Sequence, residues 1–215
     1  LTLDHPEIFM VQIRAMLKAS EGLDNLRIML PMVTTVFEVE EAQHLIHRAW
    51  LEVRGEGFDV VMPPVGVMIE VPAAVYQARA LAQRVDFLSI GTNDLTQFLF
   101  AADRADPRLA ERYDWLSPAI LRFIRRVVIA TDGHEVDVAV CGEMGGRTLE
   151  ALALMGIGIR RLSITPAAVG PIKAMIRSTS HSDIRAKMNE LLNNPTENLR
   201  EELTAWAIGQ GIEIG

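Results

Sequence analysis

The sequence predicts an α/β chain organised on a parallel sheet, and three observations carry that prediction. Short apolar runs rich in β-branched residues alternate with longer segments of helical period. Each run is apolar through its middle, as a strand covered on both faces requires. Of the 215 residues, 49% are hydrophobic and 23% charged, proportions of a packed domain and not of a disordered or collagenous chain.

Taken in order, Asp4 with Glu7 three residues on forms a capping-box pattern ahead of a helix whose apolar face is Phe9, Ile13, Met16 and Leu17. The first strand is Leu26 to Met32. Thr35 with Glu38 opens a second helix, with Val39, Ala42, Ile46, Ala49, Trp50 and Val53 on one side, and both apolar faces are expected on the sheet. Val65 to Val71 is the second strand, and Pro72 suits the first turn of the helix behind it, where no amide donor is needed. The third strand, Val85 to Ile90, is followed by a charged stretch from Asp103 to Asp114 and a helix starting near Ser117 and Pro118. Val136 to Val140 and Arg160 to Ile164 complete five strands. From about Pro166 no strand remains, and residues 166–215 read as a tail of two or three helices broken near Ser180, Pro195 and Gly209. Five such strands fit an open doubly wound sheet or part of an eight-stranded barrel, and both place ligand chemistry at the carboxyl ends of the strands.

Charge narrows the partners. Lys plus Arg number 21 against 28 Asp plus Glu, a net −7, which argues against nucleic acid or an anionic bilayer as the ligand. No stretch approaches the roughly 20 apolar residues of a membrane span. Cys141 is the only cysteine, so no intrachain disulfide forms, and a reducing, cytoplasmic setting is expected.

The strand ends supply the candidate site. Glu70 follows the second strand, while Gly91, Thr92, Asn93 and Asp94 follow the third. Two carboxylates at adjacent strand mouths are an economical site for a hard cation such as Mg²⁺, although a helix cap or an ion pair would explain either one alone. An acid closing the apolar run VGVMIEV is the stronger signal, because burying it unpaired is costly. Cys141, Gly142 and Glu143 follow the fourth strand, with Gly145 and Gly146 close behind. A lone cysteine is most often a small core residue, but these glycines let backbone amides approach an anion. Arg104, in AADR, carries a planar fork suited to phosphate or carboxylate. Arg122, Arg125 and Arg126 read as an exposed stripe, and the five histidines lack metal-ligand spacing.

Together VGVMIEVPAA, VDFLSIGTNDLTQ, AADR, VCGEMGG and SITPAAVGPIKAMIRS closely resemble the phosphoenolpyruvate-binding domain of bacterial Enzyme I, the phosphoenolpyruvate-protein phosphotransferase of the sugar and nitrogen-related phosphotransferase systems. The opening LTLDHPEIFMVQIRAMLKAS looks more like the nitrogen-related branch. GTNDL and CGE also occur in pyruvate phosphate dikinase and phosphoenolpyruvate synthase. The resemblance implies part of a (β/α)8 TIM barrel, about strands four to eight, with residues 1–215 as one partial barrel domain plus the helical tail. It implies Glu70 and Asp94 as Mg²⁺ ligands, Asn93, Asp94 and Arg104 as substrate contacts, and Cys141 as the general acid that protonates enolpyruvate. It further implies transfer of the phosphoryl group to a histidine of a domain upstream of Leu1 and on to a histidine phosphocarrier, with strands one to three and their phosphate-binding arginines also upstream. A homodimer is expected, and the chain alone is not expected to complete transfer. Alternatives are a barrel of the pyruvate phosphate dikinase or phosphoenolpyruvate synthase type, a Mg-dependent pyruvate-enolate lyase or aldolase, and a dimerisation module that only senses phosphoenolpyruvate.

Overall fold

The computed structural model describes residues 3–103, 105–106, 113–194 and 198–215. Among the described residues five strands form one all-parallel sheet: β1 Ile28–Leu30, β2 Val65–Ile69, β3 Phe87–Gly91, β4 Asp137–Cys141 and β5 Arg161–Leu162. Their order in the sheet is their order in the chain. A doubly wound sheet reverses direction at a switch point, whereas a barrel winds onward one strand at a time, so this order belongs to a barrel segment. The outer strands are shorter than their apolar runs: β1 holds three residues and β5 two.

The helices among the described residues are α1 Pro6–Ala19, α2 Val36–Gly55, α3 Pro72–Tyr76, α4 Ala78–Ala82, α5 Thr92–Phe100, α6 Pro118–Thr131, α7 Thr148–Gly156, α8 Val169–Arg177, α9 His181–Asn193 and α10 Leu199–Gly209. The Thr35 capping box forms, with both reciprocal hydrogen bonds to Glu38, and Pro72 and Pro118 occupy first-turn positions. The expected box at Asp4 does not form. His5 is the N-cap and Pro6 the first helical residue, so Glu7 stands at N2, one position short of where it could reach back. Met16 is also more exposed than expected, because α1 buries the stripe Phe9, Ile13 and Leu17, and the helix packs on α2 rather than directly on the sheet.

The amino end of the sheet is tied for stability. The Val65 N–H donates to Asp86 Oδ2 (2.7 Å), the Asp86 N–H donates back to the Val65 carbonyl (2.9 Å), and Arg161 pairs with Asp137 across β4 and β5 (2.7 Å). Gly66 makes room for the Phe87 ring, which a Cβ would meet at 2.3 Å and have to displace.

The tail consists of a short 3₁₀ turn and helices α8 to α10, and Ile184, Met188, Leu191, Leu192, Leu203 and Ala207 join the same core as the sheet. Arg200, on α10, makes the junction. Its guanidinium takes both oxygens of Asp114 (2.6 and 2.7 Å) and also Glu150 Oε1 on α7 (2.5 Å), a carboxylate only 2% exposed. Burial alone would raise the Asp114 carboxyl. The Arg200 hydrogen bonds, the Leu116 N–H and the charges of Arg200 and Arg147 outweigh it and hold the group below the usual aspartate range.

Candidate active site

The carboxyl ends of β2, β3 and β4 bring most of the sequence-predicted residues to one rim. Glu70, the first residue beyond β2, is 4% exposed, and its Oε1 accepts the Met32 N–H (2.7 Å) from the turn after β1. Met32 holds φ 56°, a left-handed conformation uncommon for a non-glycine residue, and that turn aims its amide at the carboxylate. Glu70 also limits its neighbour on β3: a Cβ at Gly91 would stand 2.9 Å from Glu70 Oε2.

Helix α5 begins at the residue after Gly91, with no loop between strand and helix. Asn93 and Asp94 therefore lie in its first turn, half-buried, where the helix dipole favours an acid. Asp94 is not the N-cap, which is Gly91. Gly91 is in register with Cys141, the last rung of the β3–β4 ladder.

Past that rung two side chains continue the pairing. Thr92 Oγ1 donates to the Cys141 carbonyl (3.0 Å), and the Glu143 N–H donates to Asn93 Oδ1 (3.4 Å). Between them Gly142 turns at φ 97°, where a Cβ would fall 2.6 Å from Thr92 Oγ1 and 3.2 Å from Asn93 Oδ1. Glycine is required there on both counts. The Cys141 thiol is half-buried and donates to the Ile90 carbonyl (3.5 Å), leaning toward β3.

Four of the five candidate residues, Glu70, Asn93, Asp94 and Cys141, thus stand on three adjacent strand mouths; Arg104 lies outside the described residues. Among the described residues no three His, Cys, Asp or Glu side chains gather into a ready cage for an ion. The carboxylates at these mouths, Glu70 and Asp94, offer hard oxygens, a donor chemistry that suits Mg²⁺ with most of its octahedral shell left to water and substrate. Sequence reasoning gave no role to Thr92, which is fully buried, and missed the Glu150–Arg200–Asp114 cluster. Glu150 carried a usable signal, an acid inside the apolar helix TLEALALMG.

A family model for the PEP-binding domain of PEP-utilising enzymes matches residues 1–181. The chain belongs to that family. A protein of Salmonella typhimurium named as a phosphoenolpyruvate-dependent phosphotransferase system is 44% identical over 214 residues, 99% of this chain and 29% of that protein. Its counterpart in Escherichia coli K12 is 44% identical over 184 residues, 85% of this chain and 25% of that protein. A phosphoenolpyruvate-protein phosphotransferase of Haloferax volcanii is 37% identical over 193 residues, 89% of this chain and 34% of that one. The chain therefore spans about a quarter to a third of the length of these relatives. Among solved structures, a citrate lyase from Burkholderia xenovorans LB400 aligns with TM-score 0.58 at 18% identity, covering 96% of this chain and 70% of that one. That likeness supports the α/β partial-barrel fold. It gives no weight to the lyase alternative, while the phosphotransferase names among the relatives favour the first reading. No helix among the described residues is long and apolar enough to cross a membrane.

Proposed function

We propose that this chain supplies the phosphoenolpyruvate- and Mg²⁺-binding mouth of a phosphoenolpyruvate-protein phosphotransferase. The observation that supports the reading is the register of Gly91 with Cys141, since Asn93 and Asp94 follow directly on one strand of that rung, the thiol stands on the other, and Glu70 ends the neighbouring strand. Glu70 and Asp94 hold the cation, Asn93, Asp94 and Arg104 contact the substrate, and Cys141 is the general acid. Bound Mg²⁺ would neutralise charge on the phosphoryl oxygens.

The reaction asks mainly for positioning and charge stabilisation. The bond from phosphorus to the enol oxygen breaks as a bond to an acceptor histidine nitrogen forms, and the electron pair stays on the oxygen as an enolate. The Cys141 thiol then gives its proton to carbon 3, leaving pyruvate, and the thiolate regains a proton from solvent. The histidine is supplied by another domain, and the phosphoryl group passes from it to a phosphocarrier. A homodimer in the cytoplasm completes the proposal; the lone thiol suits a reducing compartment, and the mass in solution by light scattering tests the dimer.

Calorimetric titration of phosphoenolpyruvate with Mg²⁺ tests the site. Glu70→Gln keeps an acceptor for the Met32 amide but removes the charge. Because losing an outer-shell partner of a metal ligand already costs about 10- to 100-fold, this change should cost at least about tenfold in metal-linked binding. Cys141→Ala should retain binding and lose exchange of the pyruvate methyl protons with solvent. Undiminished metal-linked binding by Glu70→Gln would overturn the assignment.

A further inference from the structure

We infer that Thr92 is a positioning residue for Cys141, holding the proton donor in register with the residues that receive the substrate; this rests on the site proposed above. The backbone ladder between β3 and β4 ends at Gly91 and Cys141. Beyond it the chain divides, one branch entering α5 with Asn93 and Asp94, the other turning at Gly142 toward Glu143. Thr92 joins the branches. It is fully buried, its hydroxyl donates to the Cys141 carbonyl at 3.0 Å, and its own carbonyl accepts the Thr96 hydroxyl at 2.7 Å, which fixes it within α5. The Gly142 Cα–H faces the same hydroxyl so closely that no Cβ fits between them. The second link, from the Glu143 amide to Asn93, is longer at 3.4 Å and uses a side chain that the substrate would also engage. Thr92 is therefore the tie that persists when substrate occupies Asn93.

A threonine chosen for helix capping or bulk would be replaceable by valine without effect on the thiol. A positioning role predicts otherwise. In the chain without ligand, Thr92→Val should raise the rate of Cys141 alkylation by iodoacetamide about fivefold, the value of one neutral hydrogen bond, while Thr92→Ser returns it to the parent rate. In the exchange assay Thr92→Val should slow pyruvate methyl exchange by about the same factor while phosphoenolpyruvate affinity moves less than about twofold, and serine should again restore it. An alkylation rate unchanged by valine overturns the inference, and so does equal loss in the valine and serine variants tracking their melting temperatures. The alkylation arm needs no phosphoenolpyruvate. Failure of the parent chain to bind or exchange would thus strike the proposed function alone, and failure of the alkylation arm would strike the role of Thr92 alone.

Discussion

The β3–β4 mouth and the junction of the tail with α7 are both held by side chains reaching between elements, yet their chemistry is opposite. At the mouth the links are uncharged, Thr92 to the Cys141 carbonyl and Asn93 to the Glu143 amide, and Gly142 lets the branches stand close. At the junction one guanidinium faces two carboxylates, one of them almost fully buried. Neutral links leave the field at the mouth to be set by the carboxylate pair and by whatever anion arrives. Charged links at the junction resist separation but would distort that field if placed beside the substrate. Rigidity has been put where charge is harmless, and the site is held by groups that add almost none.

Removing the junction's cation should have the largest effect on stability. Arg200→Met leaves Glu150 buried without its partner. Breaking a buried pair costs about 3–5 kcal/mol, and the part-exposed Arg200 and Asp114 bring the expectation down to about 2–4 kcal/mol. Denaturant titration measures it, and the folded fraction should bind phosphoenolpyruvate as the parent does. A further change of Glu150 to Leu in the same chain should recover much of the loss; if it does not, the junction is not held by charge.

A smaller and opposite split is expected at the mouth. Gly91→Ala would set a methyl 2.9 Å from Glu70 Oε2, displacing the carboxylate and weakening Mg²⁺-linked binding by about tenfold, comparable to losing the support of a metal ligand. Its melting temperature should fall less than that of Arg200→Met. The reverse ranking would erase the distinction between the two regions.

The smallest effect is in acid. The Asp114 carboxyl is held below its unfolded value, so its contribution is complete above the ordinary aspartate pKa, about 3.9, and is lost as pH falls through the lower folded value. Asp114→Asn should therefore flatten the stability-versus-pH curve below about pH 4 relative to the parent, with little change in shape above it. A curve of unchanged slope would remove Asp114 from the junction.

How much of this was legible varies with how local the signal is. All five strands stand where apolar runs predicted them, but the expected cover on both faces holds only for β2 and β3, while Met29 on β1 is exposed and most of β4 and β5 is part-exposed. Their lengths were less legible: β1 and β5 stop short because pairing depends on a neighbouring strand and not on the run itself. The Thr35 box was readable and the Asp4 box misread by one position, since Pro6 decided where the first turn began. Glu70 announced itself as an acid closing an apolar run, and Glu150 carries the same mark, but its partner lies 50 residues away on a surface-like helix. Thr92 was hidden because its hydroxyl serves a carbonyl 49 residues on, and backbone acceptors leave no trace in a sequence.

The direct passage from Gly91 into α5 bears on how such a mouth can move and vary. With no connecting residues to flex, Asn93 and Asp94 shift only if nine residues of helix swing as one body or the strand itself yields. An inserted residue there would rotate the first turn by about 100° and carry both side chains off the rim. At the opposite end of α5, where Ala101 breaks off in a left-handed turn, a length change would leave both side chains in place and fall instead on the path to Arg104.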